Sequence, residues 1–166
     1  MNVALVHHGR GAPVVHDLAA SLRELGHQAT VLGSTPTPLD PLLEHRGFAT
    51  PLAHLPFTLG ALLRGHYDVA HAFSPQDAYA ALLWRHSSGR PVVFSCAEPI
   101  EREQLSNGRL RLRFLRTALE ESDAVIVHDD AARAAAWRWL ALEPPVIAAG
   151  DGATHEQLYR RLLDQT

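Results

Sequence analysis

The chain has 166 residues, 46% of them hydrophobic, with 15 basic and 18 acidic side chains and a formal net charge of -3. That length suits one domain burying about 70% of the surface its unfolded form exposes, and the charge balance gives no electrostatic signal for nucleic acid as a partner. Every basic residue is arginine, which excludes Schiff-base and Walker-type lysine chemistry, and Cys96 is the only cysteine, which excludes an internal disulfide.

Val3-Ala4-Leu5-Val6 opens the chain as an apolar run of the kind buried on both faces of a parallel sheet. It leads into His7-His8-Gly9-Arg10-Gly11, whose glycines permit a sharp turn, and then to Pro13, which suits the first turn of a helix. The helix expected over Pro13–Leu25 places Val14, Leu18, Leu22 and Leu25 on one stripe and ends at Gly26. Gln28–Leu32 reads as a second strand, Gly33–Pro41 as a proline-stiffened loop, Gly47–Leu52 as a short strand and Phe57–Arg64 as a helix.

Tyr67–Phe73 is the next strand, and Ser74-Pro75 caps a helix over Gln76–His86. Pro91–Ser95 reads as a buried strand and Ile100–Ser106 as a helical turn or mobile loop ending at Asn107-Gly108. A helix follows over Arg109–Ser122, a strand over Ala124–Val127 and a helix over Ala131–Leu140. Pro145–Ala148 is expected as a last strand, and Thr154 as the cap of a closing helix to Leu163. Strand and helix alternate about six times. The pattern predicts one α/β domain over residues 1–166, three layers deep, with a mostly parallel, doubly wound sheet.

Ligands of such sheets bind beyond the carboxyl ends of the strands, and those ends are polar here. They carry His7 and His8, then His71 running into Ser74, then Glu98, then His128-Asp129-Asp130, and finally Gly150-Asp151-Gly152. Taken singly, each histidine is an ordinary hydrogen-bonded loop residue. Taken together they point to a cleft, because imidazole accepts a proton near neutral pH and donates to hydroxyls or phosphates. His71, Glu98 and His128 are the candidate catalytic groups. No HExxH or CxxC spacing marks a metal site, no GxSxG marks a nucleophile elbow, and Val14 stands where a GxGxxG pattern needs its third glycine. Arg109, Arg111, Arg113 and Arg116 alternate with apolar residues; such a run is a solvated helix face or a surface for anionic lipid, with Arg109, Arg113 and Arg116 as the lipid candidates.

Gly9-Arg10-Gly11 before VVHDLAASLRELGHQATVL, then YDVAHAFSP, RPVVFSCAEP, LRTALEESDAVIVHDDAAR and PVIAAGDGATHEQLYRR, resembles the N-terminal half of GT-B glycosyltransferases of the family 4 type. The resemblance covers nearly the whole chain. It implies that this half holds the acceptor, that a second Rossmann-like half binds the nucleotide sugar, and that a retaining transfer takes place between them. By position, Gly9, Arg10 and Gly11 would form the loop facing the donor phosphates, His71 and Ser74 would line the acceptor side, and Gly150 would lead towards the second half. The family's histidine after the PVVFS strand is Ala97 here, and its closing asparagine-glycine-x-aspartate reads Ala149-Gly150-Asp151-Gly152.

The resulting expectation is the acceptor-binding half of a hexosyl-type transferase, incomplete on its own. The alternative is a non-catalytic binding or regulatory module derived from such a domain. Expected partners are a donor-binding half or a second copy of the chain, and a glycan, lipid or small-molecule acceptor. No cofactor is expected, since a nucleotide sugar would enter as substrate. With no cationic leader and no run of about 20 apolar residues, the expected location is the cytoplasm, with peripheral membrane contact as the further option.

Overall fold

The computed structural model describes residues 1–8, 12–33, 55–96, 109–148 and 150–165. Five parallel strands run in the order β2-β1-β3-β4-β5: β1 is Asn2–His7, β2 Gln28–Gly33, β3 Val69–Ala72, β4 Val92–Cys96 and β5 Ala124–Val127. Six helices are described: α1 Ala12–Glu24, α2 Leu55–Arg64, α3 Pro75–Ser88, α4 Arg109–Glu121, α5 Asp130–Leu140 and α6 Gly152–Leu163. The α/β class and the parallel sheet expected from the alternating runs are what the chain adopts.

The two-residue period of each strand decides what the two faces of the sheet carry. Val3 and Leu5 of β1, Val69 of β3, Val93 of β4 and Ile126 of β5 share one core with Leu18 and Leu22 of α1 and Tyr159 and Leu162 of α6. The alternate residues Ala4, Val6, Ala70 and Val92 pack against Leu62 of α2 and Ala81, Leu82 and Trp84 of α3. Further along, Phe94, Cys96 and Val127 meet Leu115 and Leu119 of α4 and Ala132 of α5. Both faces are covered, which is why the strands read as continuous apolar runs.

Two expectations are corrected at the end of the chain. Pro145–Ala148 makes a single bridge, Val127 to Val146, rather than a strand. Val127 N–H donates to the Pro145 carbonyl and Ile147 N–H to the Val127 carbonyl, but Pro144 and Pro145 have no N–H with which to extend the ladder. The last helix starts at Gly152 and is capped by Asp151 rather than Thr154, with the Asp151 carboxylate accepting from Thr154 N–H and Thr154 Oγ1–H. Upstream, β3 is shorter than its apolar run, and the strand expected over 47–52 and the turn over 100–106 lie outside the described residues.

At Gly152 the start of α6 lies close against Ser21 of α1. A Cβ built there would stand 2.3 Å from Ser21 Oγ, so the helix axis can sit this near only with glycine at that position.

Candidate functional site

The strand order places β1 between β2 and β3, so the connections depart in opposite directions from β1 and leave a crevice beyond the carboxyl ends of β1 and β3. His8 follows β1 and Ser74 follows β3, and one side chain joins them. Asp77, in the first turn of α3 and 0% exposed, accepts from His8 N–H at 3.1 Å and lies 2.5 Å from His8 Nδ1. Its Oδ2 also accepts from Ser74 Oγ–H at 2.7 Å, while Ser74 Oγ accepts from Asp77 N–H at 3.2 Å as the cap of α3.

A fully buried carboxylate requires compensation of this sort, since its desolvation is otherwise prohibitive. The α3 N-terminus adds its positive dipole end to these donors. An ionised Asp77 only accepts, so the proton of neutral His8 is placed on Nδ1, leaving Nε2 as the basic nitrogen of the ring. The sequence signal for Asp77 was the spacing Ser74-Pro75-Gln76-Asp77, an acid three residues after a serine cap. That local pattern marks Ser74 as a cap, and it does not tie Asp77 to His8.

His7 and His8 fall on opposite faces, as neighbours at a strand end must. His8 meets α3, whereas His7 is largely buried at the carboxyl end of β1, beside Gly33 in the register.

His71 is not on the rim. It is 0% exposed and faces α6, with Nδ1 2.5 Å from Tyr159 Oη and Nε2 2.7 Å from Ser95 Oγ. Both hydroxyls can donate or accept, so either neutral tautomer is served. Its ring stacks on Phe73 with centroids 4.3 Å apart and lies 5.5 Å from that of His155. Burial holds the His71 imidazole well below the usual histidine range, with lesser contributions from His155 and His128. His155 is lowered chiefly by burial, opposed by its bond to the Asp151 backbone, and burial also pushes the Tyr159 hydroxyl well up. A fully buried imidazole one residue before the end of β3 is a core residue, and this corrects its expected place among rim groups.

His128 continues the parity of Ile126 and turns towards the same face, with Nδ1 3.0 Å from the Ile147 carbonyl and Nε2 buried. Gly150 has φ 77°, a left-handed turn that sets up the Asp151 cap. Gly9, Arg10, Gly11 and Glu98 lie outside the described residues. On α4, Arg113 and Arg116 are exposed, and Arg116 Nε donates to Glu120 Oε1 at 2.7 Å; the helix begins at Arg109.

The expected single cleft therefore resolves into a rim group (His8, Ser74 and Asp77) and a buried group (His71, Ser95, His155 and Tyr159) with half-buried His128 beside it. Among the described residues no group of three or more histidine, cysteine or acidic side chains is arranged to hold a metal, and no helix is long and apolar enough to cross a membrane.

A five-stranded all-parallel sheet with helices on both faces defines a Rossmann-like domain of the kind found in GT-B glycosyltransferases. The model for Glycosyltransferase Family 4 matches residues 11–148, well over half of the chain, and the chain belongs to that family. Comparison with curated proteins returned no match. Among solved structures, a piece of sucrose-phosphate synthase (tll1590) from Thermosynechococcus elongatus aligns with a TM-score of 0.71 at 18% identity, over 98% of this chain and 99% of that one. The Anabaena Alr3699/HepE protein in complex with UDP-glucose aligns with a TM-score of 0.68 at 19% identity, over 90% of this chain and 44% of that one. A UDP-GlcNAc 2-epimerase from Methanocaldococcus jannaschii aligns with a TM-score of 0.59 at 13% identity, over 89% and 45%. At these identities the likeness is one of fold. The chain spans slightly under half the length of the longer sucrose-phosphate synthase chain, 47%, and of the HepE chain, 44%.

Proposed function

We propose that this chain is the acceptor-side half of a sugar-transferring enzyme, working with a donor-binding half that supplies the nucleotide sugar. The observation that carries this reading is the span of the match: the family model covers 11–148, yet the chain aligns with only 44% of the HepE chain, whose structure is a UDP-glucose complex. In this reading the acceptor hydroxyl approaches the crevice beyond β1 and β3, where Asp77 fixes the ring of His8. Ser74 and Asp77 are positioning residues there, and His8 is the group nearest to the acceptor.

Isothermal titration of the chain with UDP-glucose and GDP-mannose tests the assignment of sides. The expected result is no saturable heat with either sugar nucleotide, because the donor contacts belong to the other half. Micromolar binding by this chain, with amide shifts at His8 and Ser74, would overturn the acceptor-side assignment.

A further inference from the structure

Beneath α6 lies a group of imidazoles that the rim does not use. His71 projects from β3, His128 follows β5, and His155 sits on α6 one turn before Tyr159. His155 is 0% exposed, with Nδ1 2.6 Å from the Asp151 carbonyl, and the Nδ1 of His128 is paired in the same way with the Ile147 carbonyl. Each backbone carbonyl can only accept, so each of these two rings carries its proton on Nδ1. The Nε2 atoms of both rings are buried, and neither has a hydrogen-bond partner.

An acceptor lone pair left alone in the interior costs little beside what protonation would bring. A proton on Nε2 of His155 would create a buried N–H with no acceptor, and with it a charge whose ring centroid lies 5.5 Å from that of His71. The surroundings offset such a charge only in part: the Asp151 carboxylate favours it, more weakly than burial opposes it, and β1 turns a further histidine, His7, to the same sheet face. β3 contributes His71, β4 Ser95, the segment after β5 His128, and α6 Tyr159. On the turn into α6 the Asp151 carboxylate is committed to Thr154. From α1, Ser21 meets Gly152 and Asp17 meets Gly150. Glu156, the remaining acid at the start of α6, is engaged by His27 and Arg160. Histidines therefore face histidines.

We propose that His71 and His155, packed beside His128, form a pH-sensitive latch that holds α6 on its sheet face while their rings are neutral and lets it go on acidification, before the strands separate. The latch is independent of what the rim binds. Its sign follows from linkage. Burial lowers His71 and His155, so an open state with solvated rings takes up protons that the closed state refuses, from the unfolded histidine range near pH 6.5 downwards. Closure is at full strength above that range and is lost as pH falls below it, by up to about tenfold in the opening constant per pH unit for each histidine.

Amide hydrogen exchange of the whole chain, corrected for intrinsic rates, reads the latch directly. Between pH 7 and pH 5, opening of the α6 amides from Leu158 to Leu162 should rise by up to about 100-fold per pH unit, two histidines being involved, while β1 and β3 keep their protection. His155→Asn keeps an amide donor for the Asp151 carbonyl and removes one titrating ring, so the slope should fall to about tenfold per unit. Should that variant fail to fold, ¹⁵N titration of the wild-type imidazoles replaces it. Rings of His71 and His155 that stay neutral in the closed state at pH 5.5 support the latch. Loss of α6 and β1 protection together, an unchanged slope in the variant, or a closed-state His155 that charges at the ordinary histidine value would overturn it.

Discussion

Asp77→Ala is the sharpest perturbation of the rim. The carboxylate is 0% exposed and holds His8 N–H, the His8 ring and the Ser74 hydroxyl. A hydrogen bond to a charged group contributes about 1.5–3 kcal/mol net, so three would sum to roughly 5–9 kcal/mol if they were independent. They are not independent. His8 and Ser74 are only part-buried, so water can take up some of the released donors, and Ser74 also serves as the α3 cap. With that relief, about 3–5 kcal/mol of the sum is the expected loss here. Because whole domains are stable by only about 5–15 kcal/mol, the variant should stay folded but unfold at much lower urea. Asp77→Asn retains the shape and one acceptor but turns an NH₂ towards a donor, so about 1–3 kcal/mol is expected. Urea unfolding followed by circular dichroism at pH 7.5 measures both, well above the range in which the buried histidines titrate. A loss below about 1 kcal/mol for Asp77→Ala would refute the reasoning, since it would mean that the carboxylate organises neither His8 nor α3.

Two further outcomes follow from packing and charge. Gly152→Ala places a methyl 2.3 Å from Ser21 Oγ and 3.1 Å from the Ser21 backbone carbon, so α6 must lift off α1. Overpacking of about 1–3 kcal/mol should outweigh the ~1 kcal/mol that alanine gains in a helix, and Ser21→Gly in the same chain should restore part of the loss in thermal unfolding; a neutral Gly152→Ala would show that the two helices are not held this close. Flotation with vesicles of anionic phospholipid at low and high salt tests the arginines of α4. Arg116 is paired with Glu120, which weakens its share of any such surface, so at most weak binding is expected; binding that salt abolishes would support the lipid-facing role, and no salt-sensitive binding would remove it.

The architecture was legible because each buried strand announces itself as an apolar run, and each helix that follows carries a cap or a glycine stop. What the sequence could not supply was which helix covers which face. The parity of β3 sends His71 to the face opposite Ala70 and Ala72, but only the return of α6, 88 residues later, brings Tyr159 over it. His8 and Asp77 are 69 residues apart, and nothing local to either pairs them. The Asp151 cap was masked differently, because Asp151 and Thr154 both have capping side chains and their mutual hydrogen bonds decide the order.

The two polar groups share a strand and differ in the cost of charge. His8 is oriented by the Asp77 carboxylate, which lies within hydrogen-bond reach of its ring at the N-terminus of α3. Three residues along β3 from Ser74, His71 has hydroxyls for partners and histidines for neighbours, an environment that penalises a proton arriving on the ring. A counter-charge is therefore what separates a histidine able to take part in proton transfer from one that reports pH through packing. Distance from the rim follows from strand parity, but the role follows from whether an acid lies within reach. Asp77 supplies one to His8 by a direct hydrogen bond, whereas Asp151 is held by Thr154, hydrogen-bonds His155 through its backbone carbonyl, and favours the charged His155 ring less than burial opposes it.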